Sequence, residues 1–203
     1  MDARPATRED IVILRGKSWN LMVRWEEEPI VYKPISGIER SAPVRLVVPG
    51  HELPDGWRAA VVSVVGMREM NAAHDPPWVM DHHVATVIDA DTIEFNSVNS
   101  SRFHPYVSGG YLRYLTPVEL TGYTARMAIK TGFSGEELFR LTTENGGIVI
   151  DSAGCTINLR ITAEDTETFL WRAGVYDVEM VSPVGEVSLL IAGRITVTPE
   201  VTT

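Results

Sequence analysis

Alternation of apolar and polar residues with a period of two is the feature that most constrains the fold of this chain. It is clearest where Trp19, Leu21 and Val23 share one face of a predicted strand, with Asn20 and Met22 on the other. Similar runs recur at 44–48, 84–88, 125–129, 157–161, 176–180 and 187–191. Successive side chains of a strand point to opposite faces, so each run predicts a strand with one buried face. Many short strands between Gly, Asn, Asp and Pro turns predict an all-β fold of sandwiches or small barrels.

One short helix interrupts this pattern and is predicted at 163–169. Thr162 can cap its first turn, and Asp165 completes a capping-box signature three residues later. Tyr176 follows at the start of a strand, an order typical of the corner before strand F in immunoglobulin-like sandwiches. There the tyrosine hydroxyl bonds to backbone upstream. The alternative is a half-buried strand aromatic with no such bond.

The strand count suggests that one domain is interrupted by another. Residues 117–203 supply only six or seven strands, so the missing first strands are expected at 11–14 and 19–25. The stretch between them contains all five histidines and a strand set of its own. The sequence therefore predicts an immunoglobulin-like β-sandwich formed by residues 9–34 and 118–203. Residues 36–116 are predicted to be an inserted small β-barrel module.

The charge distribution argues against two classes of partner. The net charge of −9 comprises zero over residues 1–34 (6 basic, 6 acidic), −3 over 35–116 (6 basic, 9 acidic) and −6 over 117–203 (6 basic, 12 acidic). No segment has the basic face that nucleic acid or an anionic membrane would need. No apolar run approaches the roughly 20 residues of a membrane-spanning helix. We therefore expect neither nucleic acid nor membrane as a partner.

The residue types that usually carry catalysis occur in unsuitable arrangements. His82 and His83 are adjacent on a strand and point to opposite faces, so they cannot easily chelate one ion. The run from Glu26 to Glu28 is interpreted as a solvated turn, and Cys155 as a partly buried, inert thiol. Gly146-Gly147 after Asn145 predicts a β-hairpin turn rather than a phosphate-binding loop, because no helix follows. We predict no enzyme, no catalytic residue, no metal site and no cofactor.

Aromatic residues are the remaining candidates for binding. They crowd the inserted segment at Trp57, Trp78, Phe103, Tyr106, Tyr111 and Tyr114. Such side chains either fill the core of a small barrel or form a ligand surface, and the sequence leaves both open. Trp78 lies beside Pro76-Pro77 in a predicted loop and is the best exposed candidate. The candidate binding surface consists of Trp78, Phe103 and Tyr106.

Three motifs in residues 44–114 carry a family resemblance. They are a Gly-His-x-Leu-x-x-Gly turn (residues 50–56), a Gly-Met-x-x-x-Asn element (66–71) and Asp-x-Asp-Thr-Ile-Glu-Phe (89–95). This stretch resembles the small β-barrel module named for the first catalytic cysteine half-domain of ubiquitin-activating enzymes, in the form common in bacteriophage structural proteins. The Pro-rich residues 74–82 depart from the pattern. The module is non-catalytic in those enzymes too, so the resemblance implies no ubiquitin chemistry.

A second resemblance concerns the predicted sandwich. The segments DIVILRGKSWNLMVRW, LTGYTARMAIK, LTTENGGIVID, ITAEDTE, YDVEM and ITVTPEVT resemble an immunoglobulin-like domain frequent in phage and prophage tail or baseplate regions. They cover residues 9–34 and 118–203. These are turns and core strands, so no functional residue is carried over.

Together the resemblances imply a virion structural protein of a tailed phage, assembled in the host cytoplasm. Its place would be the tail, baseplate or fibre-attachment region. Its partners would be other virion proteins in a symmetric assembly, contacted through edge strands and barrel loops. The alternatives are a receptor- or glycan-binding module with a host-surface glycan as partner, and a capsid-decorating protein.

Overall fold

The computed structural model describes residues 7–199, and it confirms an all-β fold. The chain divides into two compact units, the first comprising Met1–Trp25 and Glu119–Thr203 and the second Glu26–Val118. The strands of unit 1 are β1 (Thr7–Arg8), β2 (Ile11–Leu14), β3 (Trp19–Arg24), β11 (Thr124–Lys130), β12 (Glu137–Thr142), β13 (Ile148–Asp151), β14 (Thr156–Ile161), β15 (Ala173–Val181) and β16 (Val187–Thr198). The strands of unit 2 are β4 (Glu26–Pro34), β5 (Gly37–Glu39), β6 (Val44–Val47), β7 (Arg58–Val62), β8 (His83–Asp89), β9 (Thr92–Phe95) and β10 (Tyr111–Pro117).

Unit 1 is a sandwich of two sheets. One sheet runs β1-β16-β15-β11-β12, with β2 also paired to β16, and the other runs β13-β14-β3. Strands β1 and β2 pair with β16 in parallel, whereas the remaining neighbours are antiparallel. In immunoglobulin lettering, β3, β14 and β13 are strands B, E and D, and β16, β15, β11 and β12 are strands G, F, C and C′. The order B-E-D against G-F-C-C′ is the immunoglobulin arrangement. The inner faces bury alternate residues such as Met127, Val178 and Leu159.

The predicted helix is confirmed as α1 (Ala163–Glu167). The Thr162 hydroxyl accepts a hydrogen bond from the Asp165 backbone N–H at 3.1 Å. The Asp165 carboxylate in turn accepts from the backbone N–H and the hydroxyl of Thr162. This reciprocal pair is the capping box that the sequence indicated.

Tyr176 bonds to upstream backbone, but not at the corner before strand F. Its side chain is 3% exposed, and its hydroxyl donates to the Glu9 carbonyl at 2.7 Å. Glu9 lies between β1 and β2, so the bond fastens the N-terminal strands to the sheet. Gly193, opposite Tyr176 on β16, makes the approach possible, because a Cβ there would overlap the Glu9 carbonyl oxygen.

The boundary between the units differs from the predicted one. Residues 26–34 form β4, whose partner is β10 of unit 2, so they belong to the inserted unit and not to the sandwich. The interpretation of Glu26, Glu27 and Glu28 as a solvated turn is therefore wrong. They begin a strand because their backbone pairs across to Thr116 and Pro117. At the other end, the predicted sandwich includes residues 200–203, which lie outside the described residues.

Unit 2 contains one seven-stranded sheet in the order β4-β10-β7-β8-β9-β6-β5. The predicted barrel is not closed over residues 26–118, because end strands β4 and β5 do not pair with each other. The chain runs from β4 through Ile35 and Ser36 into β5 without turning back, so these two strands cannot lie side by side. Ile35 N–H bonds to the Gly110 carbonyl and Ser36 N–H to the Val47 carbonyl, so a nearly continuous strand changes partner at this point.

Two of the motifs that carried the first resemblance interact directly in unit 2. His51 is buried, with Nε2 2.8 Å from the Asp89 carbonyl and Nδ1 accepting from Leu53 N–H at 3.0 Å. The Asp91 carboxylate accepts from Gly50 N–H at 2.8 Å. The Gly-His turn and the Asp-x-Asp turn therefore stabilise each other, and both have an architectural role.

Candidate docking site

The most exposed apolar cluster of unit 2 lies in the Pro-rich segment between β7 and β8. Trp78, Val79 and Met80 follow one another at the turn Val79–Asp81, and they are 58%, 78% and 76% exposed. We call these three residues the apolar tip. Single exposed apolar side chains are ordinary, but large apolar side chains grouped on a surface are typical of interaction sites.

Asp81 organises the loop that presents the apolar tip. Its carboxylate accepts hydrogen bonds from the backbone N–H of Trp78 at 2.8 Å and of Ala73 at 3.2 Å. The Nδ1 atom of His74 lies 2.9 Å from the same carboxylate. Burial alone would raise the pKa of Asp81, but the hydrogen bonds from Trp78, His74 and Ala73 outweigh it and hold this pKa below its ordinary value. The ionised carboxylate is therefore the form that fixes the loop.

The Trp78 ring is also fixed from one side. It stacks on the imidazole of His74 with ring centroids 3.6 Å apart and planes 9° from parallel. The Trp78 carbonyl lies 2.8 Å from His82 Nδ1. One face of the indole is thus covered, and the exposed part of the ring is held in a single orientation.

The structure does not bring together the three aromatic residues proposed from the sequence. Phe103 and Tyr106 are half-buried, and among residues 7–199 neither ring is in aromatic contact with Trp78. The Tyr106 hydroxyl lies 3.0 Å from the Ile35 carbonyl and 3.1 Å from the Gly109 carbonyl. Tyr106 therefore joins two backbone segments, and Trp78 alone of the three has a broadly exposed ring.

Val79, Met80 and Asp81 were not among the candidate residues predicted from the sequence. A signal was present, because two apolar residues directly after Trp78 in a Pro-rich loop have no strand in which to be buried. An aspartate three residues after Trp78 is also the spacing with which a carboxylate caps a turn.

His83 and His104 each have a hydrogen-bonding partner close by. His83 Nδ1 is 3.3 Å from the Ser97 hydroxyl, and His104 Nδ1 is 2.7 Å from the Glu69 carboxylate. Burial, followed by the charge of His82, lowers the pKa of His83. In the part of the chain that the structure describes, no group of three or more His, Cys, Asp or Glu side chains is arranged to hold a metal ion.

Cys155 is buried directly before β14. Burial, with the negative charges of Glu119 and Asp151, raises the pKa of its thiol. The protonated thiol is a poor nucleophile.

The comparisons with known proteins give no identification. No known family model matches the sequence, and no curated protein matches it significantly. Within residues 7–199, no helix is long and apolar enough to cross a membrane.

Proposed function

We propose that this protein is a structural component of a tailed-phage particle that docks onto neighbouring virion subunits in the tail, baseplate or fibre-attachment region. The observation that carries the docking role is the apolar tip, whose three consecutive side chains are exposed on a loop ordered by Asp81 and the His74 stack. The assignment to a phage particle rests on the two sequence resemblances.

The energetics of the apolar tip favour a protein partner. Fully burying a side chain of this size contributes about 1.5–3 kcal/mol, so covering all three would stabilise a complex by several kcal/mol. Tryptophan is also enriched among the residues that dominate protein interfaces. The bonds to Asp81 and the His74 stack already order the loop, which reduces the entropy lost on binding.

The exposed edge of β4 is less suited to docking than the apolar tip. Among the described strands, β4 pairs with β10 alone, and its first residues include Glu27, Glu28 and Pro29. Charged residues and proline on an edge strand oppose pairing with another chain. We therefore place the contact in the loop before β8 and not along this edge.

Glycan binding receives less support as an alternative. Sugar rings bind to the open faces of aromatic side chains, and His74 covers one face of Trp78. Among the described residues, no further aromatic ring extends this stack into a platform.

Particle composition tests the proposal. In the strain that encodes the chain, the gene is deleted and replaced by the wild type or by the double variant Val79→Ser, Met80→Ser. Particles are then purified, and the chain is quantified by mass spectrometry. We expect a fixed copy number of the wild-type chain per particle. We expect at least a tenfold loss for the variant, since about 1.4 kcal/mol of lost contact is sufficient for that factor.

The matched control is Val65→Ser, Val84→Ser, which removes two exposed valines of unit 2 outside the apolar tip. This control should enter particles like the wild type. Absence of the wild-type chain from particles would refute the virion role. Normal incorporation of the Val79→Ser, Met80→Ser variant would show that the apolar tip is not the docking surface.

A further inference from the structure

Arg113 occupies an unusual position on β10. Its neighbours Leu112 and Tyr114 point into the core and are 0% and 2% exposed, so the alternation of the strand places Arg113 on the opposite face. An arginine there would ordinarily be solvated, yet Arg113 is only 9% exposed. Together with residues from the end of β7 and from the segment 71–77, Arg113 lines a half-open cleft of about 300 Å³.

The guanidinium of Arg113 makes few interactions with other side chains of the protein. Its Nε donates to the Tyr32 hydroxyl at 3.3 Å, and among the described residues it makes no ion pair and no other hydrogen bond. Its terminal nitrogens keep some access to solvent, and Arg113 is one of the residues that line the cleft. A largely buried cation without an ion-pair partner is costly, and an anion bound beside it in the cleft would offset that cost.

Other groups at the cleft can donate to the same anion. The Tyr32 hydroxyl accepts from Arg113, so its own proton is free to be donated. The Ser63 hydroxyl also lines the cleft and has no hydrogen-bond partner in the described part of the chain. Asp75 also lines the cleft. Its negative charge repels a doubly charged phosphate more strongly than it repels a singly charged carboxylate.

From this arrangement we infer that the Arg113 cleft binds a carboxylate, held by the guanidinium with help from the Tyr32 and Ser63 hydroxyls. A guanidinium offers two parallel N–H donors that match the two oxygens of a carboxylate. The carboxylate comes either from a free small acid or from an acidic side chain of a partner. The inference does not require the protein to be a virion component.

The segment that lines the cleft also carries the apolar tip. Its residue His74 lines the cleft and stacks on Trp78. A partner seated on the apolar tip could therefore present an acidic side chain to Arg113.

Titration of the ¹⁵N-labelled full chain tests this inference. The probes are propionate, its neutral isostere propionamide, and the blocked peptides acetyl-Gly-Glu-Gly-amide and acetyl-Gly-Gln-Gly-amide. The Nε–H signal of Arg113 is assigned by its loss in Arg113→Lys. We expect saturable shifts of this signal with the carboxylate probes, with dissociation constants of about 1–10 mM, and none with the amide probes.

Variants provide the second readout. Arg113→Lys keeps the charge but loses the paired donors, so carboxylate binding should weaken at least tenfold. It is followed through the backbone N–H signals of residues 62–63 and 71–75. Arg45→Met is the control, because Arg45 is already paired with Glu94 at 2.6 Å and lies outside the cleft. Its binding should equal that of the wild type. A dispersed spectrum of Arg113→Lys shows that the variant is folded.

The two sources of carboxylate give different results. Tighter binding of the Glu peptide than of propionate indicates an acidic side chain of a partner. Binding of propionate without the peptide indicates a free small acid. The inference is overturned if neither carboxylate saturates by a concentration of about 0.1 M, if the amide probes bind equally well, or if Arg113→Lys binds like the wild type.

Discussion

The bond between Tyr176 and Glu9 gives the most direct test of how unit 1 is held together. Tyr176→Phe removes the hydroxyl that donates to the Glu9 carbonyl at 2.7 Å and leaves the ring in place. Loss of a buried hydrogen-bond partner costs about 1–3 kcal/mol. Because Glu9 itself is exposed, water can replace part of the bond. We therefore expect the free energy of unfolding to fall by about 1–2 kcal/mol.

This change is large enough to measure. In a chain of this size each kcal/mol lowers the melting temperature by about 2–4 °C, so a loss of roughly 2–8 °C is expected. Urea unfolding followed by circular dichroism gives the free energy. Hydrogen exchange gives the location, because the Glu9 N–H bonded to Ala192 and the Arg194 N–H bonded to Asp10 should exchange faster.

Tyr123→Phe is the matched control in the same unit. Tyr123 is half-buried and packs edge-to-face on Trp25 at 5.8 Å, but its hydroxyl makes no hydrogen bond within residues 7–199. Its loss should change stability by less than about 0.5 kcal/mol. Equal effects of the two variants, with unchanged exchange at Glu9 and Arg194, would refute the argument that the Tyr176 hydroxyl fastens the N-terminal strands.

Three further predictions concern unit 2 and the boundary. Burial raises the pKa of Tyr114 to about 12, so the stability that depends on its neutral phenol is complete below pH about 10 and is lost as the pH rises towards 12. Tyr114→Phe should reduce this loss in alkaline urea titrations. An unchanged dependence of the unfolding free energy on pH would contradict the prediction. His51→Ala should destabilise the protein by at least about 2 kcal/mol, because it removes the bonds to Asp89 and Leu53, whereas the exposed control His104→Ala should have a small effect. Replacing residues 26–118 by a short Gly/Asn linker should leave a sandwich that unfolds cooperatively, because loop-closure entropy changes slowly with length; a non-cooperative transition would mean that the units share one core.

Local features of the sequence determined the strands, the helix and their caps. Alternation predicted β3, β11, β14 and β15 because the period of a half-buried strand is set by backbone geometry alone. Thr162 and Asp165 predicted α1 because a capping box involves only residues three apart. The all-β class and the immunoglobulin-like sandwich could be predicted from such local signals.

Pairing between distant strands was decided only by the tertiary structure. Asn145-Gly146-Gly147 indicated a hairpin, but β12 and β13 belong to different sheets, so the turn joins the two layers of the sandwich. Residues 26–34 were placed with the sandwich because they follow β3 directly in the chain. Their partner β10 lies more than 75 residues later, and no local pattern identifies it.

The candidate sites also depend partly on local sequence and partly on tertiary contacts. Trp78 could be selected from its Pro-rich surroundings, because exposure in a loop is a local property. The burial of Arg113 could not be predicted in this way. Alternation in the strand places it on an outer face, and the segment that lines the cleft with it lies about 40 residues earlier in the chain. What the sequence determined was the conformation that each segment prefers. The tertiary structure decided which segments cover one another, because burial depends on neighbours that are distant in the chain.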